Sequence, residues 1–237
     1  FGGDRDGNVS SRYTNPTVRT FEERLAALEG GEACAATASG MAAIYALCIA
    51  HLQAGDHMIC SRAVFGSTTV LLEKFLRKFN VDITYVDLLD LSAWQNAVQE
   101  NTKLLFLESP SNPLTEVADL RAISEIAKSA GALLVADNTT ATPLCQQPLD
   151  LGADMVVMAD TKAMAGHSDV LCGHVASRDT SLMNQVRGYR RLGGATVSPF
   201  DAYLLHRGLE TLELRVSRAN QNALILANHL LSHPSVQ

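Results

Sequence analysis

Five short runs of nearly unbroken apolar residues constrain the fold of this chain more than any other feature: HMIC (57–60), ITYV (83–86), KLLFLE (103–108), ALLVAD (132–137) and DMVVM (154–158). A strand with one wet face alternates apolar and polar residues, whereas a strand covered on both faces does not. Between the runs lie amphipathic stretches such as STTVLLEKFLRKF and LRAISEIAKSAG, which read as helices. Strands and helices in alternation predict an α/β fold, a mostly parallel sheet with helices on both faces. Ahead of the first run, TVRTFEERLAALEGG sets Val18, Phe21, Leu25 and Leu28 on one face and stops at Gly30-Gly31, as a helix with a glycine end does.

The pattern divides the chain into three parts. Residues 1–16, polar and glycine-rich, read as an N-terminal arm with no core of its own. Residues 17–198 carry the strands and form the large domain. From Pro199 a helical pattern runs to about Leu231, so 199–237 reads as a long helix leading into a small C-terminal domain that is missing here. At 237 residues, 47% hydrophobic and 19% charged, the chain has material for a sizeable core. A net charge of -6, with no basic run among aromatics, argues against a nucleic-acid partner. No apolar run reaches the roughly 18 residues of a membrane span, and FGGDRDGN has no signal-peptide pattern. The five cysteines are odd in number and include no C-x-x-C pair, which suits free thiols in a reducing, cytoplasmic setting.

In such a sheet, functional residues gather at the carboxyl ends of the strands. Four segments lie at such points. ESPSNP presents Asn112, ADNTTATP presents Asp137, MADTKA presents Thr161 and Lys162, and TASGMAAI puts Ser39-Gly40 at a helix start. Free N–H groups at a helix start favour a phosphate. Asn112 and Asp137 are 25 positions apart, and so are Asp137 and Lys162 (137 − 112 and 162 − 137). One step of that size is one βα unit, which sets all three on the same edge. An aspartate, a lysine and a helix N-terminus at one edge suit pyridoxal phosphate: the amine forms a Schiff base, the carboxylate keeps the pyridine nitrogen protonated, and the helix end takes the phosphate.

The segments SRYTNPTVRTFEERLAALEGGE, ATASGMAAI, AVFGST, LESPSNPLTEVADL, VADNTTATPLCQQPLDLGADMVV, TKAMAGHSDV and SPFDAYLLHRGLETLELR extend from Ser11 to Arg215. Together they resemble the Cys/Met-metabolism family of pyridoxal-phosphate enzymes, which includes cystathionine γ-synthase, cystathionine γ-lyase, methionine γ-lyase and the O-succinylhomoserine sulfhydrylases. The resemblance implies a fold-type-I transferase architecture. It makes Lys162 the cofactor-anchoring lysine and Asp137 the partner of the ring nitrogen. Gly40 and Met41 would give N–H groups to the phosphate, Thr161 a hydroxyl, and Phe65 a stacking ring. Asn112 would sit by the ring hydroxyl and the substrate carboxylate, and Ser198 near that carboxylate. Arg12 would reach the phosphate of a neighbouring subunit, which implies self-association as a dimer or tetramer. The activity implied is γ-replacement on an O-acylhomoserine, with γ-elimination as the second reading.

The departures from the family pattern are informative. Ser10 stands where the family commonly has tyrosine, Ala159 where it has serine, Ala163 where it has an aromatic, and Ser67 where methionine γ-lyases have cysteine. Phe65 replaces a tyrosine whose phenol could assist leaving-group departure; phenylalanine stacks but transfers no proton. Either Lys162 then carries all the proton shuttling, or the substrate brings a better leaving group, such as a succinyl or acetyl ester. Ser10, Ala159 and the missing domain also keep a non-catalytic homologue in view, against the joint retention of Lys162, Asp137 and Asn112.

Plainer readings stand beside these. Lys162 could be a solvated surface amine, Asp137 a helix cap, Asn112 and Ser198 the turn formers of Asn-Pro and Ser-Pro pairs, and Gly40 a packing glycine. His167, Asp169, Cys172 and His174 offer zinc-type ligands. The two histidines are seven apart and no second pair exists, so a turn followed by a buried strand is expected rather than a metal site. No G-x-G-x-x-G motif follows the first strand, which removes a dinucleotide oxidoreductase.

Overall fold

A computed structural model describes residues 7–236. Helix α1 (Pro16–Glu29) starts on the Asn15 side chain, which accepts from the Thr17 and Val18 N–H groups, and ends on Gly30 in the left-handed region (φ 68°). Strand β1 (Ala33–Thr37), helix α2 (Gly40–His51) and strand β2 (His57–Ser61) follow. Then come α3 (Gly66–Leu71), β3 (Asp82–Val86), α4 (Leu91–Asn96) and β4 (Thr102–Glu108). Next are α5 (Leu120–Ala130), β5 (Leu133–Asp137), the short α6 (Thr142–Cys145) and β6 (Met155–Met158). Strand β7 (Gly173–Ser177) and helices α7 (Thr180–Gly193), α8 (Pro199–Leu209) and α9 (Leu212–Leu231) complete the chain.

The seven strands form one sheet in the order β1-β7-β6-β5-β4-β2-β3. All five expected strands are present and run parallel. Strand β7 alone is reversed, pairing antiparallel with both β1 and β6. Side chains alternate between the two sheet faces, and both faces are covered. Met155 and Val157 of β6 join one apolar cluster with Leu47 of α2 and Met183 of α7. Val156 and Met158 join another with Phe21 and Leu25 of α1 and Leu205 of α8. Leu105 and Leu107 of β4 pack with Trp94 and Ile123 under α4 and α5.

Two helical readings differ in detail. STTVLLEKFLRKF is α-helical only to Leu71; it widens into a π-turn over Leu72–Leu76, tightens over Arg77–Phe79 and ends on left-handed Asn80 (φ 61°). The helical region after Pro199 is two helices, α8 and α9, broken at Glu210 and Thr211. Of the N-terminal arm, residues 1–6 lie outside the described residues; residues 11–13 make a turn in which the Ser10 carbonyl accepts from the Tyr13 and Thr14 N–H groups. Among the described residues, no helix is long and apolar enough to cross a membrane.

Candidate active site

Strands β2, β4, β5 and β6 end at one edge of the sheet, and helix α2 starts there. A cavity of about 480 Å³ opens between them, within the range of small-molecule sites. It is lined by Gly40, Met41, Phe65, Asn112, Asp137, Thr161 and Lys162, seven of the nine residues singled out from the sequence. Ser198 and Arg12 lie elsewhere. Ser198 is exposed, and its hydroxyl accepts from the Asp201 N–H as the cap of α8, the turn-forming role of a Ser-Pro pair. Arg12 donates to the Arg191 carbonyl at 3.0 Å and lies over the Tyr13 ring of its own chain.

Asp137 ends β5 and is 7% exposed. Its Oδ1 accepts from both the Thr139 N–H (3.0 Å) and the Thr139 hydroxyl (2.6 Å). The Thr139 hydroxyl oxygen in turn accepts from the Ala159 N–H at 2.8 Å, tying the loop after β5 to the loop after β6. Burial raises the Asp137 carboxyl above its ordinary value; the two Thr139 bonds and the nearby charge of His174 pull it back. Oδ2 has no hydrogen-bond partner among the described residues. A buried carboxylate with one oxygen free in a cavity fits a protonated ring nitrogen, which would repay the desolvation.

At the opposite wall, Ser39 caps α2 by accepting from the Ala42 N–H at 3.1 Å. The N–H groups of Gly40 and Met41 make no hydrogen bond among the described residues, as an anion-binding helix start requires. Gly40 is also a packing glycine. A Cβ there would lie 2.6 Å from Ala159 Cβ, so α2 approaches the lysine-bearing loop too closely for any side chain. Thr161 faces the cavity, but its hydroxyl is already shared with the Cys172 carbonyl and N–H, both at 3.1 Å. Lys162 is exposed toward the cavity, and its amine has no partner among the described residues. These residues fit pyridoxal phosphate at each of its three attachment points.

Two contributors were not singled out from the sequence, Thr139 and Glu108. Glu108 ends β4 directly across from Asp137 in the strand pairing. Its Oε2 accepts from the Phe65 N–H at 2.6 Å, which fixes the backbone of Phe65. Burial and then the charge of Asp137 push Glu108 up to about 7, against the Phe65 N–H, which pulls it down. The signal lay in the runs KLLFLE and ALLVAD, each an apolar strand closed by an acid. Of the four zinc-type residues, Cys172 and His174 fall in the core while His167 and Asp169 lie on the surface. Among the described residues, no group of three or more His, Cys, Asp or Glu is placed to hold a metal ion.

A mostly parallel sheet with a lysine, a buried aspartate and a helix start at its carboxyl edge defines a fold-type-I pyridoxal-phosphate enzyme. Comparison with known proteins agrees. The family model for Cys/Met metabolism PLP-dependent enzymes matches residues 1–237, and the chain belongs to that family. O-succinylhomoserine sulfhydrylase of Pseudomonas aeruginosa is 51% identical over 237 residues, covering 100% of this chain and 59% of that protein. L-methionine gamma-lyase of Porphyromonas gingivalis is 39% identical over 239 residues, covering 60% of its length. The crystal structure of cystathionine gamma-lyase from Lactobacillus plantarum, in complex with L-serine, matches with a TM-score of 0.96 at 37% identity, over 99% of this chain and 61% of that one. The chain thus spans roughly three fifths of the length of these relatives.

Proposed function

We propose that the whole protein catalyses γ-replacement on an O-acylhomoserine, in the manner of an O-succinylhomoserine sulfhydrylase or a cystathionine γ-synthase. It would serve the trans-sulfuration and methionine-forming chemistry of the cytoplasm, as a dimer or tetramer in which Arg12 serves a neighbouring subunit. Bound pyridoxal phosphate supplies an electron sink for the bonds to the substrate Cα. Asp137 holds the proton on the ring nitrogen. Lys162 would anchor the cofactor, and its amine, once displaced by the substrate amine, would be the base that takes the proton from Cα and, after giving that proton up, the one that takes a proton from Cβ. The N–H groups of Gly40 and Met41 hold the phosphate. Phe65 packs on the ring, held by Glu108, and Asn112 lies within reach of the substrate carboxylate.

The observation that carries replacement on an ester is Phe65 in the cavity wall. Among the described residues no phenol lines that cavity, so either Lys162 carries the proton to the departing group or the substrate brings one that departs readily, as a carboxylate does, and the ester reading takes the second. The 51% identity to a sulfhydrylase supports the same reading. Elimination is the second reading, favoured by the methionine gamma-lyase relatives. The test is to incubate the full-length protein with O-succinylhomoserine, with and without a thiol donor. Replacement predicts a thioether product with little 2-oxo acid when the donor is present. Elimination predicts 2-oxo acid and ammonia at the same rate in both.

A further inference from the structure

Directly behind the lysine-bearing loop, three ionisable side chains meet with no access to solvent. Glu29, the last residue of α1, Asp160, two positions before Lys162, and His174 of β7 are each 0% exposed. His174 Nδ1 lies 2.7 Å from Asp160 Oδ1, and Nε2 lies 3.5 Å from Glu29 Oε1. Both Glu29 oxygens and Asp160 Oδ2 have no hydrogen-bond partner among the described residues. Burial alone would depress the imidazole, but Asp160 and Glu29 outweigh it and carry His174 up to about 10. The imidazole thus lies between two buried acids, and both favour its charged form. Around it stand Cys34 of β1 and Cys172, both pushed well above the usual thiol range by burial, and Arg187 of α7, which donates to the Cys34 carbonyl. On the β5 side its charge is one influence, after the two Thr139 bonds, that pulls the Asp137 carboxyl down.

An isolated buried charge costs several kcal/mol, and such a cluster stabilises a fold less well than apolar packing would. Its placement points to another use. His174 sits on the reversed strand β7, paired with Met158 of β6 and Ala36 of β1. Asp137 pairs with Val157, the residue before that Met158, so Asp137 and His174 flank neighbouring residues of β6, and the imidazole's hydrogen bond holds Asp160, the residue that starts the turn carrying Lys162.

We propose that His174 is a positioning residue of the cofactor site: through Asp160 it fixes the turn that carries Lys162, and its buried positive charge favours the ionised form of Asp137. This rests on the assignment of Lys162 and Asp137 to pyridoxal phosphate made above. The substitution His174→Asn keeps a donor near the Nδ1 position and removes the charge. The experiment follows the visible absorbance of bound pyridoxal phosphate against pH in the full-length protein, since that transition reports protonation of the Lys162 nitrogen.

Loss of a nearby cation should raise the midpoint by at least about 0.5 unit, and weaken cofactor binding about fivefold or more. A variant that is less heat-stable as apoprotein but has an unmoved midpoint and affinity would make the cluster purely structural and overturn the proposal. If the variant does not fold, coupling must still appear in the unsubstituted protein, because linkage is reciprocal. With ¹⁵N-labelled histidine, the His174 ring resonances should shift on addition of pyridoxal phosphate, and unchanged resonances overturn the proposal. A protein that shows no visible band with pyridoxal phosphate overturns the cofactor assignment and the proposal with it, whereas a bound cofactor whose midpoint and affinity are unmoved by His174→Asn overturns the proposal alone.

Discussion

Thr139 gives both its N–H and its hydroxyl to one oxygen of Asp137, leaving the other oxygen toward the cavity. The same hydroxyl oxygen accepts from the Ala159 N–H, so one threonine orients the carboxylate and joins it to the lysine-bearing loop. Such second partners often matter nearly as much as the group they orient. Replacing Thr139 with valine should remove one bond to the carboxylate and leave the Ala159 N–H unpaired. We expect a loss of about 1–3 kcal/mol in unfolding free energy, together with roughly tenfold weaker cofactor binding. Denaturant unfolding of the apoprotein and cofactor titration would separate the two effects. Unchanged affinity would show that Asp137 needs no orienting partner.

Asp137→Asn should leave the carboxylate's shape and the Thr139 bonds in place while removing the charge proposed to keep the ring nitrogen protonated. Turnover is expected to fall by about two orders of magnitude or more, the scale of losing a proton-holding group. Covalent attachment at Lys162 should persist. Measuring both in one preparation distinguishes this from a helix-cap role, which predicts near-normal turnover.

Gly40→Ala places a Cβ 2.6 Å from the Ala159 Cβ and 2.9 Å from its Cα. Neither atom is the end of a flexible chain, so α2 or the loop after β6 must shift. The cost expected is about 1–3 kcal/mol, as for other overpacked sites, with weakened phosphate binding. Affinity for pyridoxal should change much less than affinity for its phosphate, because the disturbance lies at the phosphate end.

Glu108 carries a pH signature. Its carboxyl is raised from 4.5 to about 7 in the folded state. Between those values the native chain holds a proton that the unfolded chain has lost, so this group's contribution to stability falls as pH rises from 4.5 toward 7 and is flat above. Glu108→Gln keeps an oxygen for the Phe65 N–H and removes the titration. Thermal unfolding across pH 4.5–7 should show a weaker downward slope in the variant; identical slopes would mean that Glu108 is not protonated in the fold.

Much of this architecture was legible in the sequence because the parallel strands are apolar on both faces and their helices end on glycines such as Gly30 and Gly131. Strand β1 was harder to see, and β7, expected only as a buried strand after the turn beyond Lys162, gave no sign of its reversed direction. ACAAT and GHVAS hold few of the β-branched and aromatic residues that mark a strand, and their pairing, Ala33 with Ser177, spans almost the whole sheet-forming chain. The 25-residue steps placed Asn112, Asp137 and Lys162 on one edge. Thr139 looked like a turn residue in ADNTT, and Glu108 like an ordinary strand end; their roles emerge only when β4 and β5 lie side by side. The His174 cluster was invisible for the same reason, since Glu29 and His174 meet only after α1 packs against β7.

The central claim is that Lys162 is the covalent anchor, and borohydride reduction tests it most directly. The full-length protein, incubated with pyridoxal phosphate, reduced and digested, should yield a single pyridoxyl-modified peptide carrying the adduct on Lys162, and none in Lys162→Ala. An adduct on another lysine, or an undiminished adduct in Lys162→Ala, would contradict the account.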